Sequence, residues 1–289
     1  MTELSVIIVS YNTRALLINC LESLRISIRN SALKSEVIVI DNASSDGSPD
    51  EVERKFPDVT LIRHDENSGF GRANNTGIAR ARGKLILLLN SDTVVGPETV
   101  AGLVRFSRTH PDCYVGPRLL NTDGTSQPSC GPFYSLPVVF AMLFLRGDRT
   151  GLTRYSPDKD RYVDWISGAC IMAPRKLFAD PYRFDEGIFM YMEEIELLYR
   201  ARIQGYRCFY TVAATITHAG AASSPNGRMH AVVNIFRGLS YFYRKHYPYP
   251  ARLMLKLMLI VKAGLGIGIG IITGRRSISE TYAQALRVV

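Results

Sequence analysis

Leu4-Ser5-Val6-Ile7-Ile8-Val9-Ser10, followed at once by Tyr11-Asn12, decides the architecture of this chain. A strand with one solvated face alternates apolar and polar residues. A near-continuous Val/Ile run that stops at polar residues marks a strand covered on both faces. The period changes straight after it: Leu16, Leu17, Cys20, Leu21, Leu24 and Ile28 recur at helical spacing. The alternation then repeats. Residues 36–40 form a second strand stopped by Asp41-Asn42, residues 48–55 a short helix, and residues 59–63 a third strand. Residues 71–82 read as a helix with Gly83 as its C-cap. Residues 84–89 read as a fourth strand, ended by Asn90-Ser91-Asp92. Pro97 suits the first turn of a helix that runs to Arg108. Strand–helix units in series predict an α/β fold, a mostly parallel sheet with helices on both faces.

Beyond these units the pattern loosens. Residues 113–163 are rich in turn formers (Gly116-Pro117, Asp123-Gly124, Gly131-Pro132, Ser156-Pro157) and read as an irregular set of functional loops. Residues 163–173 are strand-like. Residues 189–203 read as a helix with Glu196 and Arg200 at i,i+4 spacing, closed by Gly205, and residues 207–216 as one or two strands. Residues 229–243 fit an amphipathic helix, and residues 253–273 are mostly apolar. That run reaches the ~20 residues needed to span a bilayer. Lys256 and Lys262 interrupt it, and a lysine at mid-membrane costs roughly 2.5–3.5 kcal/mol. The favoured expectation is a helix lying in the interface with its lysines snorkelling. A spanning helix and a helix packed on the body are the alternatives.

The 289 residues are 46% hydrophobic and 21% charged, which excludes disordered and collagen-like chains. The net charge of +9 sits wholly in the tail: residues 226–289 hold 10 basic side chains and one acidic, residues 1–225 hold 25 of each. A neutral body with a basic tail argues against a nucleic-acid-binding protein. It argues for two parts, residues 1–225 and 226–289. Five dispersed cysteines without a CxxC pair argue against a disulfide framework and for a reducing compartment. Met1-Thr2-Glu3 runs straight into the first strand without a signal-peptide pattern, so the expected location is cytoplasmic.

In open α/β sheets, ligands bind beyond the carboxyl ends of the strands. Ser10-Tyr11-Asn12, the Asp41-to-Gly47 segment, Glu66-Asn67-Ser68-Gly69 and Asn90-Ser91-Asp92 all fall there and together suggest a nucleotide site. Asp46-Gly47 reads equally well as a plain turn. GxGxxG and GxxxxGK[ST] are both absent, which disfavours a dinucleotide fold or a P-loop. Asp92 beside Asn90 can hold a hard divalent cation, because Mg2+ takes one or two carboxylates plus substrate phosphates.

Several ordered segments resemble the inverting glycosyltransferases of family 2, which have the GT-A fold. They are Val6-Ile7-Ile8-Val9-Ser10-Tyr11-Asn12, Val39-Ile40-Asp41-Asn42-Ala43-Ser44-Ser45-Asp46-Gly47 and Leu87-Leu88-Leu89-Asn90-Ser91-Asp92. Asn67-Ser68-Gly69-Phe70-Gly71-Arg72-Ala73-Asn74-Asn75-Thr76-Gly77, Gly116-Pro117-Arg118-Leu119-Leu120-Asn121 and Asp164-Trp165-Ile166-Ser167-Gly168-Ala169 belong to the same pattern. Phe184-Asp185-Glu186 with Phe189-Met190-Tyr191-Met192-Glu193-Glu194 completes it. The rhamnosyltransferase-like branch is the most similar, over about residues 4 to 245.

The resemblance implies roles. Asp41 would contact the nucleotide base, Ser10 and Tyr11 would line its pocket, and Asn67, Arg72 and Asn74 would also serve the nucleotide. Asn90, Trp165, Ser167 and Gly168 would line the donor and acceptor cleft, although Trp165 also reads as a core tryptophan. Asp92 would bind the metal as the surviving acid of a degenerate DxD motif. His218 would reach back to the metal or diphosphate, the alternative being a satisfied core histidine. An inverting transfer needs a carboxylate to take the acceptor's proton as the nucleoside diphosphate leaves. The family uses the Asp of a Glu-Asp pair. Here Glu193-Glu194 stands instead, with Glu194 at the Asp position and Glu196 at that of a following acid, so either Glu194 or Glu193 is the base.

The implied activity is metal-dependent, with Mg2+ or Mn2+. A sugar, rhamnose favoured, would move from a dTDP- or UDP-linked donor to a lipid-linked saccharide. The tail would touch the cytoplasmic face of the membrane. The alternatives are another transferase of the family, such as a galactofuranosyltransferase, and a non-catalytic nucleotide-sugar-binding partner. The Glu193-Glu194 departure alone supports the last.

Overall fold

The computed structural model describes residues 1–220 and 227–289, and the expected boundary at residues 225–226 lies outside the described residues. Strand β1 (Leu4–Ser10) sits between β2 (Ser35–Asp41) and β4 (Leu85–Asn90), parallel to both. Its Val/Ile run is buried on both faces, as its composition demands. Ile7 packs with helix α3 (Phe70–Arg80) on one side. Val6 and Ile8 pack with helices α1 (Arg14–Ser31) and α4 (Thr99–Thr109) on the other. The sheet also contains β3 (Thr60–Arg63), β5 (Thr93–Val95), β6 (Cys113–Leu120), β7 (Ser126–Gln127), β9 (Arg161–Val163), β11 (Cys170–Pro174) and β12 (Arg207–His218). Its main path runs β3-β2-β1-β4-β11-β6-β12-β5, with β7 paired to β6 and β9 to β12 beside it. The first half is parallel; β11 enters antiparallel to β4, and β5 antiparallel to β12. The α/β expectation holds, with a mixed second half. All five cysteines are buried and free.

Several local expectations need correction. Helix α3 ends at Ala81 with an extended residue, so Gly83 is not its cap. Gly83 instead lets the chain press onto β1, where a Cβ would stand 2.5 Å from Ser5 N. Helix α4 begins at Thr99, after Pro97. The supposedly irregular residues 113–163 contain β6 in the sheet interior and the helix α5 (Leu136–Phe144). Gly116-Pro117 disguised β6, because proline gives no N–H to a ladder. The pairing register slips beside it, between Thr211 and Thr215. Residues 163–173 split into β10 (Trp165–Ile166) and β11, broken at Ser167-Gly168-Ala169. The helix expected from residue 189 starts at Glu193, as α6 (Glu193–Ile203).

The tail folds as α7 (Gly227–His246), α8 (Tyr249–Ile272) and α9 (Arg276–Leu286), the last absent from the sequence reading. Phe236, Phe242, Tyr243, Leu255 and Leu259 join the same core cluster as Ile7 and Leu88. Two of the glycines in α8 serve its packing: a Cβ on Gly266 would strike Tyr282, and one on Gly270 would strike Ser279. The opposite side of α8 leaves Leu253, Leu257, Val261, Leu265 and Ile269 exposed. Among the described residues, α8 is the one helix long and apolar enough to cross a membrane.

Candidate active site

Parallel pairing brings three strand ends to one edge: Ser10 lies opposite Asp41, and Val9 opposite Asn90. The residues just past those ends face a common cleft of about 510 Å³. Tyr11, Asn67, Asn90 and Asp92 line its strand side. Asn42 holds that side together, its Nδ2 donating to Asn67 Oδ1 at 2.8 Å and its Oδ1 accepting Ser68 N at 3.1 Å. Asp46-Gly47 is the turn: Asp46 accepts from Arg14 N at 2.8 Å and Ser48 N at 3.0 Å, and Gly47 has φ +77°.

Antiparallel pairing of β5 with β12 sets His218 opposite Thr93 and so beside Asp92. His218 Nε2 lies 3.2 Å from Asp92 Oδ1 and 3.3 Å from Asn90 Nδ2. Gln127, from the short strand β7 (Ser126–Gln127), fixes the ring: its Oε1 is 2.7 Å from Nδ1 and its Nε2 donates to His218 O at 3.1 Å. The Gln127 oxygen can only accept, which assigns a proton to Nδ1 and turns Nε2 toward Asp92 and Asn90. Asn90 Oδ1 is buried and has no hydrogen-bond partner among the described residues. A carboxylate, an anchored imidazole and a free amide oxygen converge here. Among the described residues no site offers three or more His, Cys, Asp or Glu ligands. The set therefore suits a divalent cation that draws its other ligands from a diphosphate and water.

Two acids line the same cleft. Tyr191 (φ 63°) and Met192 (φ 93°) both adopt the left-handed region, a strained conformation for side-chain-bearing residues, and deliver Glu193 and Glu194 to the start of α6. Helix α7 packs against that turn, where a Cβ on Gly238 would stand 2.8 Å from Tyr191 O. Glu193 is buried, and its Oε2 has no hydrogen-bond partner among the described residues. Burial pushes Glu193 well above the ordinary glutamate range, and the Glu194 charge adds to the push. Burial raises Glu194 too, but the Arg154 charge and the Gly168 and Ile195 N–H groups pull it back. Burial therefore raises both acids, Glu193 further through the Glu194 charge, while Glu194 keeps partners that favour its charged form. Ser167 and Gly168, in the break between β10 and β11, also line the cleft, as does Arg154.

Not every expected residue reaches the cleft. Ser10 is buried beneath it, 3.1 Å from Thr13 Oγ1. Asp41 is buried and accepts Ser44 N at 3.1 Å, its other oxygen unpartnered among the described residues. Arg72 pairs with Glu186 at 3.0 Å on the surface. Asn74 turns back within α3 to Phe70 O at 2.9 Å. Trp165 is a core residue that donates to Pro132 O at 2.9 Å; it lines a side cavity of about 90 Å³ together with Glu194. Glu196 points away, fully buried among Arg200 (2.8 Å), Lys245 (2.7 Å) and His246 (3.1 Å). Burial opposes its charge, yet these partners hold it below the ordinary range. Gln127, Asp148 and Arg154 also line the cleft, and no sequence motif marked them.

Residues 5–155 match the profile of glycosyl transferase family 2. The chain belongs to that family. Among curated relatives, the N-acetylglucosaminyl-diphospho-decaprenol L-rhamnosyltransferase of Mycobacterium tuberculosis is 29% identical over 210 residues, 65% of this chain and 67% of the relative. The rhamnosyltransferase WbbL of Escherichia coli is 27% identical over 163 residues, 52% of this chain and 60% of the relative. The mannosyltransferase PcManGT of Pyrobaculum calidifontis, solved with GDP-Man and Mn2+, superposes with a TM-score of 0.59 at 18% identity. That superposition covers 99% of this chain and 85% of the other. The fold is GT-A, and the chain is a rhamnosyltransferase-like glycosyltransferase of family 2.

Proposed function

We propose that this family 2 enzyme moves a sugar, rhamnose by preference, from a dTDP- or UDP-linked donor to a lipid-linked saccharide in cell-surface polysaccharide synthesis. The observation that carries the reading is the meeting of two chemistries in one cleft, which Asp92 and His218 line together with Glu194. The nucleotide lies along the strand ends at Tyr11 and Asn67. Asp92, His218 and Asn90 would hold Mg2+ or Mn2+, which when bound offsets the charge of the leaving diphosphate. Gln127 keeps the imidazole turned toward that position. Glu194, whose charged form the Arg154 charge and the Gly168 and Ile195 N–H groups favour, takes the acceptor hydroxyl's proton as the sugar is transferred with inversion. The transfer takes place at the cytoplasmic membrane face, with α8 lying on the surface through its exposed leucines and its basic flanks.

The test is transfer from dTDP-rhamnose and from UDP-sugars to a lipid-linked N-acetylglucosaminyl diphosphate, followed by thin-layer chromatography and mass spectrometry. A mass gain of one deoxyhexose, with the anomeric configuration inverted by NMR, is the expected result. Absence of product with every donor, from protein that binds nucleotide, would refute the reading.

A further inference from the structure

Helix α5 packs on α8, and Lys262 of α8 donates to Leu143 O at 2.5 Å and lies 5.9 Å from the Phe144 ring. The chain then turns through residues 145–154 and returns to the cleft. Lys262 feels the charges of Arg146 and Asp148, whereas Asp148 and Arg154 line the cleft. One short loop therefore runs from the α5–α8 contact at Lys262 to the cleft.

The loop is held in place. Gly147 N donates to Ala141 O at 2.9 Å, and Thr153 N to Gly147 O at 3.1 Å. Thr153 is buried against Gly131 and Gly147, where a Cβ would stand 2.2 Å from Thr153 O and 2.6 Å from its Cγ2. Arg154 follows directly, its guanidinium 5.4 Å from the Trp165 ring. Residues 145–154 contain three arginines, Arg146, Arg149 and Arg154, against one acid, Asp148. Of these, Arg154 faces the Glu194 charge. Phe140, Leu145 and Leu152 are exposed beside them. Helix α8 carries Arg252, Lys256 and Lys262 and no acid.

Exposed apolar residues, Phe140, Leu145 and Leu152, and a cluster of arginines thus share the loop that ends at the cleft. The acceptor assigned under Proposed function, on which this inference rests, joins a prenyl chain, a diphosphate and a saccharide. We infer that the 145–154 loop is the site for the acceptor's lipid diphosphate. Arg154 contacts the diphosphate, Arg149 adds charge at the rim, and Leu145, Leu152 and Phe140 take the first prenyl units. An arginine suits this task because its planar fork pairs with phosphate oxygens bidentately. Held beside Glu194, it also sets the saccharide's distance from the base.

The test uses the full chain, with farnesyl diphosphate as the probe and EDTA present to disable metal-dependent binding. Calorimetry should show binding that Arg154→Ala weakens at least tenfold and Asp92→Ala leaves intact. Farnesol and inorganic pyrophosphate should each bind more weakly than the probe. In Arg154→Ala, UDP or dTDP binding with Mn2+ should be unchanged, and, whatever happens to kcat, the acceptor KM should rise more for a diphosphate-linked saccharide than for the free saccharide. Unaltered probe binding in Arg154→Ala, its loss in Asp92→Ala, equal binding of farnesol, or no binding by the wild type would each overturn the inference. Any of these in an enzyme that still glycosylates a lipid-linked acceptor removes this site alone. Transfer only to free saccharides removes the proposed acceptor class itself.

Discussion

Glu194→Gln is the substitution that separates chemistry from binding. The amide keeps the size of the carboxylate and can still accept from the Gly168 and Ile195 N–H groups. What disappears is the charge that Arg154 faces and the ability to take a proton. Loss of a general base costs about 10²- to 10⁴-fold in kcat, roughly 3–5 kcal/mol in the barrier. The Asp92–His218 end of the cleft belongs to β4, β5 and β12, not to α6, so nucleotide affinity should stay within about twofold. Removing the Glu194 charge also removes part of what raises Glu193, so Glu193 should ionise at lower pH than before. Glu193 is buried, however, and cannot replace Glu194 at full rate. The assay is single-turnover transfer, with nucleotide binding measured in parallel. A kcat within threefold of wild type, or a loss of nucleotide binding equal to the loss of rate, would refute the assignment.

Further expectations follow from neighbouring contacts. Gln127→Ala frees the His218 ring and should weaken Mn2+-dependent nucleotide binding about 10- to 100-fold without altering the fold, as titration calorimetry and circular dichroism would report. Glu193→Gln should stabilise the protein increasingly as pH rises. The folded carboxyl has a raised pKa, so the native state keeps a proton that the unfolded chain releases above pH ~4.3, and stability falls with pH through that window. A melting-temperature gain that is absent near pH 4 and grows toward pH 8 is expected; a gain independent of pH would contradict it. Leu257→Asp with Leu265→Asp changes two residues that are 55% and 53% exposed, so stability should shift by only about 0.5 kcal/mol per site. Flotation with phosphatidylglycerol-containing vesicles should fall sharply, and unchanged flotation would remove α8 from the membrane contact.

The first four strands were legible because their signal is local. A continuous apolar run such as Val6 to Val9 has few other ways to bury both faces, and its polar stop fixes the strand end where a ligand can sit. Strand β6 was illegible because Gly116-Pro117 reads as a turn, and only its long-range pairing with β12 makes a strand of it. Helix α5 hid for a related reason: Pro137 and a short, uniformly apolar run give no helical period to detect. The same division holds in the cleft. Tyr11, Asn67, Asn90 and Asp92 sit just past strand ends and could be read off the chain. Ser10, Arg72 and Asn74 lie in the same motifs but turn their polar atoms to the scaffold. Gln127 and Arg154 come from loops whose place is set by distant partners, His218 O for one and the Thr153 anchor for the other. Periodicity carries no information about such contacts.

Metal-dependent nucleotide binding at Asp92 and His218, in the cleft that Glu194 also lines, is the step on which the proposed transfer rests. Calorimetric titration of UDP, dTDP and GDP, each with Mn2+ or Mg2+ and again with EDTA, measures it. One nucleotide is expected to bind with metal, with EDTA and Asp92→Ala each abolishing the binding. Binding that ignores both EDTA and Asp92→Ala, or no binding by folded protein under any condition, would contradict it.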